Sequence, residues 1–295
     1  MGKRPTLSKG GTSGEPLRAV ARDILASARA AIEDRKRRDS VAVHDFRKAM
    51  KRWRALLRLL EPFLGERGRE HRLRARDLAR ELARPRDAQS ALDGLDDALK
   101  HDTEFSPRSL QAMRGRLEEV RRRAEAAMLK KAMRGRMIAA IRNASRSVDR
   151  WPVEKIEFDE IADSLTKTYR RARRMIPEDW NAATAEELHE LRRRVIEHRY
   201  QMELVTPLWP RLGKPWVEEA QRLRSQLGRY QDLVVLAGLS APHQLLAPWR
   251  SRLAKPIADR QTVHLATAAR LAGRLFAERP KAFRRRLRAI WQARG

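Results

Sequence analysis

The chain has 295 residues, 42% of them hydrophobic, which is enough for one large domain or two of ordinary size around a real core. Lys and Arg number 66 against 38 Asp and Glu, a formal charge of +28, and 53 of the basic residues are Arg. A guanidinium grips phosphate with a planar fork where lysine acts as a point charge, so this surplus calls for a polyanionic partner: nucleic acid, polyphosphate or an acidic membrane surface. A GC-rich genome would explain Arg over Lys, but not the excess over acid. With no cysteine, disulfides, Cys-ligated zinc and thiol catalysis are excluded. No apolar run approaches the ~20 residues of a membrane-spanning helix.

Residues 1–14 are rich in Gly, Ser and Lys and read as a disordered basic tail. They lack the apolar centre of a secretory signal, so a cytoplasmic protein is expected. The Met-Gly start with Thr6 is a weak myristoylation pattern in a generic basic tail. From there on, apolar residues recur at spacings of three and four, and Ala, Leu, Arg and Glu dominate, so the chain reads as helix throughout. Proline and glycine cut it into helices expected at 16–37, 42–63, 66–84, 87–100, 107–146, 157–176, 181–205, 215–228, 231–239, 258–278 and 280–293. The stretch 240–257 is the least regular, and residues 151–158 look like a connection between halves.

In the second helix, VHDFRKAMKRWRALLRLL, a turn of about 100° per residue brings His44, Arg47, Lys51, Arg54 and Arg58 within roughly 80° of one another. Lys48 and Arg52 flank this strip, while Val43, Phe46, Met50, Trp53, Leu56, Leu57 and Leu60 lie opposite. Neighbours along the strip are about 4.5–6 Å apart, a ladder for closely spaced anionic groups. A merely solvated face would mix signs to gain i,i+4 pairs, and this strip carries no acid. The third helix repeats the pattern with Arg69, Arg72, Arg76 and Arg80, and the last helix with Lys281, Arg284, Arg285 and Arg288.

The chain also repeats itself. His44 and His189 stand 145 residues apart, as do Arg47 and Arg192, Arg54 and Arg199, Leu78 and Leu223, Leu82 and Leu227, and Asp87 and Asp232. Separated motifs in constant register point to a duplicated helical unit, with halves near 15–150 and 151–295, each burying its apolar faces as an antiparallel bundle. The second basic face, His189, Arg192, Arg193 and Arg199 with Tyr200 beside it, is weaker, because Ile196 replaces Lys51 and Glu197 replaces Arg52. Two roles fit His44 and His189: donating to a phosphate oxygen, or bonding a facing helix.

Other chemistry finds little support. His44-Asp45 could open a metal site, but His71 and His101 are the remaining candidates nearby and the surroundings are arginines. Asp45 diverges from His44 by about 100° and suits the helix N-terminus. Asp87 and Asp232 read as N-caps, with positioning of a basic-strip arginine as a second reading for Asp87. The tryptophans, among them Trp53, Trp180 and Trp291, read as core, and no aromatic is interleaved on the strips as a base-stacking platform. No Ser/His/Asp triad, Gly-rich phosphate loop or zinc pattern is present, so no catalytic residue, metal or cofactor is expected.

The runs HDFRKAMKRWRALLRLL and ELARPRD, with their second copies HELRRRVIEHRYQMEL and QLGRYQD, resemble the CHAD family, the conserved histidine α-helical domain. The resemblance covers nearly all of the chain beyond the tail. It implies an all-α fold of two four-helix-type bundles related by a pseudo-two-fold, with a basic groove or pore between them. It implies non-enzymatic binding of inorganic polyphosphate and association with polyphosphate granules. Carried over by position, His44, Arg47, Lys51, Arg52, Arg54, His189, Arg192 and Arg199 face the ligand, and the remaining strip residues Lys48, Arg58, Arg72, Arg76, Arg80, Arg193, Arg284, Arg285 and Arg288 extend the site. Members of the family often follow a triphosphate-tunnel domain, whose ExExK signature is not found, so a standalone domain is expected. The alternatives are a nucleic-acid-binding, nucleoid-type protein using the same charge, and more remotely a polyphosphate or triphosphate hydrolase.

Overall fold

A computed structural model describes residues 14–82, 84–100, 105–126 and 131–293, without the side chains of 84–86, 125, 126 and 131. The expected tail, up to residue 13, and His101 lie outside the described residues. Within them the protein is all-α, with eleven α-helices and no strand. They are α1 (Gly14–Glu33), α2 (Asp39–Leu59), α3 (Glu61–Glu81), α4 (Arg84–Ala98), α5 (Pro107–Ala126), α6 (Lys131–Val148), α7 (Phe158–Arg174), α8 (Ala185–Val205), α9 (Pro210–Leu239), α10 (Arg250–Leu275) and α11 (Pro280–Gln292). Among the described residues no helix is long and apolar enough to cross a membrane.

Most boundaries fall where the breakers place them. Gly65 adopts φ 54° and kinks α3 just after Pro62, a conformation that favours glycine. Thr184 caps α8 with its hydroxyl accepting from the Glu187 N–H, while the Glu187 carboxylate accepts from the Thr184 N–H. Two boundaries differ. Helix α9 runs unbroken through Gly228 and Tyr230, because one mid-helix glycine costs only about 1 kcal/mol, which packing on α4, α8 and α10 outweighs. Helix α10 starts at Arg250 and carries Pro256 in its second turn. The span expected as one helix over 107–146 is described as α5 and α6 on either side of residues 127–130, which lie outside the described residues.

The helices of the second half follow those of the first at the 145-residue offset: α7 answers α1, α8 answers α2, α10 answers α5 and α11 answers α6, while α9 spans the positions answering α3 and α4. Contacts recur in the same pairs: α1 with α2 and α7 with α8, α1 with α6 and α7 with α11, α4 with α5 and α9 with α10. The apolar clusters nevertheless do not divide at residue 150. The main core draws on both halves, from Leu17 and Trp53 to Tyr169, Leu191 and Phe283. A second cluster joins Leu92, Leu95 and Leu117 of α4 and α5 to Leu233, Leu236 and Leu253 of α9 and α10. A polar link reinforces that joint: Asp97 accepts from Arg260 (2.8 Å) and contacts His264, whose other ring nitrogen lies 2.7 Å from Gln226.

At the far end of the main core, Tyr169 stacks on Phe283 with ring centres 4.3 Å apart, and His198 sits against both. Trp216 Nε1 donates to His198 Nε2 at 2.9 Å, so the imidazole serves as an acceptor. Complete burial, reinforced by Arg286, pushes His198 down to about 3. Replacing Phe283 by Ala should cost about 3–5 kcal/mol in urea unfolding. The unfolded chain protonates a histidine near pH ~6.5, whereas folded His198 stays neutral until about 3. The stability it contributes is intact above the unfolded value and lost as pH falls below it, by ~1.4 kcal/mol per unit. Between pH 6 and 4, His198→Gln, which keeps an acceptor for Trp216, should shed that share of the pH slope in urea titrations of the two proteins.

Candidate functional site

Helices α2 and α8 cross at Ala55, where Gln201 Nε2 donates to the Ala55 carbonyl at 3.0 Å and Ile196 and Tyr200 pack alongside. On one side of this crossing, α2, α4, α8 and α9 enclose a cavity of about 610 Å³. Helix α2 lines it with Ser40, Val43, His44, Arg47, Lys48 and Lys51, and α8 with Arg192, Arg199 and Tyr200. Helix α4 contributes Gln89, Ser90 and Asp93, and α9 contributes Gln221, Arg224 and Asp232. Six lysines and arginines therefore face two aspartates, with His44 at the α2 end.

Local structure fixes several of these side chains. Arg47 donates to the carbonyls of Leu82 (2.6 Å) and Ala79 (3.3 Å), which terminate α3, so a cation sits at the negative end of that helix. Arg192 is only 7% exposed, and its guanidinium lies over Gly228, where a Cβ would approach within 3.3 Å. Glycine at 228 is what leaves room for it. Arg199 donates to Glu203 at 2.6 Å and lies over the Tyr200 ring at 4.6 Å. Asp93 accepts from Gln89 at 2.8 Å.

Of the residues expected at the site, His44, Arg47, Lys48, Lys51, Arg192 and Arg199 line this cavity. Arg52 turns instead toward Asp23 of α1, 3.7 Å away. Beyond the crossing, Arg54, Arg58, Arg72, Arg76 and Arg193 form a second cationic group threaded with Glu61 and Glu197. Burial holds the Arg54 guanidinium below the usual arginine range, and Arg193, Arg72 and Arg76 add to this against the pull of Glu197. Burial lowers Arg72 likewise, with Arg58 adding and Glu61 opposing. Arg58 donates to Glu61 at 2.7 Å, Arg76 to Asp77 at 2.9 Å and Arg193 to Glu190 at 2.7 Å. Arg80 is exposed and His189 half-buried, and neither lines the cavity. On α11, Arg284 pairs with Asp163 and Arg288 with Asp159 of α7, and Arg285 is exposed. This helix lies outside the cavity wall.

The N-cap expectation fails for Asp232, which stands within α9 and lines the cavity, because α9 does not restart after Tyr230. Asp87 lies in the first turn of α4. Sequence reasoning missed Arg224, Gln221 and Asp93. Arg224 answers Ala79 at the 145-residue offset, so the repeat gave no signal for it. Among the described residues no three His, Asp or Glu side chains gather to hold a metal.

Fold and cavity together define an all-helical protein with an arginine- and lysine-lined chamber between its central helices. Residues 17–241 match the model of the CHAD domain, and the chain belongs to that family. PptA from Streptomyces chartreusis is similar in structure at a TM-score of 0.65 and 16% identity, over 91% of this chain and 100% of that one. The CHAD domain from the plant Ricinus communis is similar at 0.60 and 19%, over 99% and 95%. No curated protein matches the sequence.

The anchoring of Arg47 separates structural from ligand-facing cations. Arg47→Met should cost about 1.5–3 kcal/mol, the scale of a lost charge-assisted hydrogen bond. Lys48→Ala, at an exposed position, should stay within about 0.5 kcal/mol. Chemical denaturation of the two variants checks the difference.

Proposed function

We propose that the protein binds inorganic polyphosphate in the cavity between α2, α4, α8 and α9, without cleaving it, and associates with polyphosphate granules in the cytoplasm. One observation carries this reading: six lysines and arginines from three helices converge on a single half-open cavity. A phosphate chain offers an anionic group at each short step, matching the 4.5–6 Å ladder of α2, and each contact releases counterions. The likeness of the second helix and its copy to the CHAD family supports the same ligand. On this reading the two halves are copies of one unit, and the cavity lies where they meet.

Shape argues against duplex nucleic acid as the main ligand. A concave space of about 610 Å³ suits a thin flexible chain, whereas a duplex is read by elements that project into its grooves. Tyr200 is the one aromatic among the lining residues, and Arg199 already covers its ring. A base would have no free platform on which to stack. Asp93 and Asp232 temper the charge of the lining without cancelling it.

Lys48→Glu with Lys51→Glu should weaken long-chain polyphosphate binding at least tenfold near physiological salt, with helix content retained. The salt slope of the remaining affinity should be shallower by about 0.7 for each lost contact, as for a single-stranded polyanion. Fluorescence titration at several salt concentrations measures both. Undiminished binding would sink the site assignment. Displacement by duplex DNA at equal phosphate would transfer the reading to nucleic acid, and phosphate release with Mg²⁺ would overturn the non-enzymatic part.

A further inference from the structure

A second concavity lies elsewhere. Between α3 and α6 opens a cleft of about 860 Å³, larger than the central cavity and sharing no residue with it. Helix α3 presents Glu66, Arg67, Glu70, His71 and Arg74, helix α6 presents Asn143, Arg146 and Ser147, and Arg150 follows just beyond its end. Both sets follow the spacing that gathers side chains on one helical face. The two cavities lie on opposite sides of α2. Phe46, Met50 and Trp53 of its apolar face line the small pocket that shares His71 and Arg74 with the α3–α6 cleft, whereas its basic face lines the central cavity.

The arginines of this cleft lack the direct pairs that their neighbours make. On the same helices Arg69 pairs with Glu66 (3.6 Å), Arg76 with Asp77 (2.9 Å) and Arg136 with Glu81 (2.5 Å). Among the described residues, the side chains of Arg67, Arg74, Arg146 and Arg150 make no hydrogen bond or ion pair. Glu66 and Glu70 offset two of the four arginines, so the cleft keeps a net positive charge between two helices that make few contacts. An anion in the cleft neutralises that remainder.

The remaining lining residues narrow the class of anion. Glu70, Asn143 and Ser147 offer hydrogen bonds beside the arginines. Burial, reinforced by Arg74, holds His71 below the ordinary imidazole range, so at neutral pH it too offers a hydrogen bond and no charge. Two acids, Glu66 and Glu70, stand against four arginines here, where the central cavity sets two aspartates against six cations, so a bare phosphate chain is held less well. A hydroxyl-bearing ligand would donate to the Glu70 carboxylate.

We propose that the α3–α6 cleft is a second anion site that takes an organic polyphosphate with free hydroxyls, the chemistry of a nucleoside triphosphate. Arg67, Arg74, Arg146 and Arg150 hold the phosphates, and Glu70 and Asn143 engage the hydroxyls. This site does not depend on what the central cavity binds.

Calorimetric titration of the full chain with ATP, and separately with pyrophosphate, tests it near physiological salt, with and without saturating long-chain polyphosphate. ATP should bind at one equivalent in both conditions. Arg146→Glu with Arg150→Glu, both exposed positions, should weaken ATP at least tenfold and leave polyphosphate affinity within about twofold. Glu70→Gln should weaken ATP and strengthen pyrophosphate, since the carboxylate attracts hydroxyls and repels bare phosphate. Circular dichroism confirms that each variant is folded. The proposal is overturned if ATP fails to bind at millimolar concentration, if polyphosphate displaces it, or if the Arg146/Arg150 variant binds it unchanged. A Glu70→Gln variant that treats both ligands alike removes the assignment to a hydroxylated ligand. Should polyphosphate fail to bind while ATP is lost in the arginine variant, the central-cavity reading falls and this one stands.

Discussion

Helix α2 must be a core helix and a cavity wall at once, and the remaining structure depends on how it reconciles the two. Phe46, Met50, Trp53, Leu56 and Leu57 are buried on one side, each contributing on the order of 1.5–3 kcal/mol. That outweighs the few tenths of a kcal/mol lost for each stacked pair of like charges on the other side. The apolar face binds α2 to α1 and α3, and the crossing at Ala55 binds it to α8. Once both contacts are made, His44, Arg47, Lys48 and Lys51 line the space toward α4 and α9.

The cavity is built from cations that the protein has already oriented. Arg47 is held at the end of α3, Arg192 over Gly228 and Arg199 by Glu203. A side chain fixed before binding loses less rotamer freedom on contact with ligand, so its charge is used more efficiently. Asp93 and Asp232 lower the self-repulsion of the group without cancelling it. Past the crossing, Glu61 and Glu197 do the same for Arg58, Arg72 and Arg54. The strip that reads as free of acid along α2 therefore meets acids brought by other helices.

Much of this was legible in the chain because it rests on local periodicity. The two faces of α2 follow from spacing, and with them the all-α fold and six of the cavity residues. What escaped depends on tertiary pairing. Asp232 reads as a cap because Gly228 and Tyr230 look like a helix boundary, yet packing against α4 carries α9 straight through. Arg224 has no basic counterpart in the first half, and Asp93 has no motif around it. Arg52 flanks the strip that carries Lys51, but Asp23 of α1 claims it, and nothing in the strip itself announces that partner.

The most direct measurement of the central claim is a crystal structure of the protein with a medium-length polyphosphate. The account predicts a continuous chain of phosphates between the α2 and α8 walls, with oxygens within hydrogen-bonding distance of Lys48, Lys51 and Arg192. Phosphate density confined to the outer arginines of α11, with the space between α2 and α9 left to water, would contradict it.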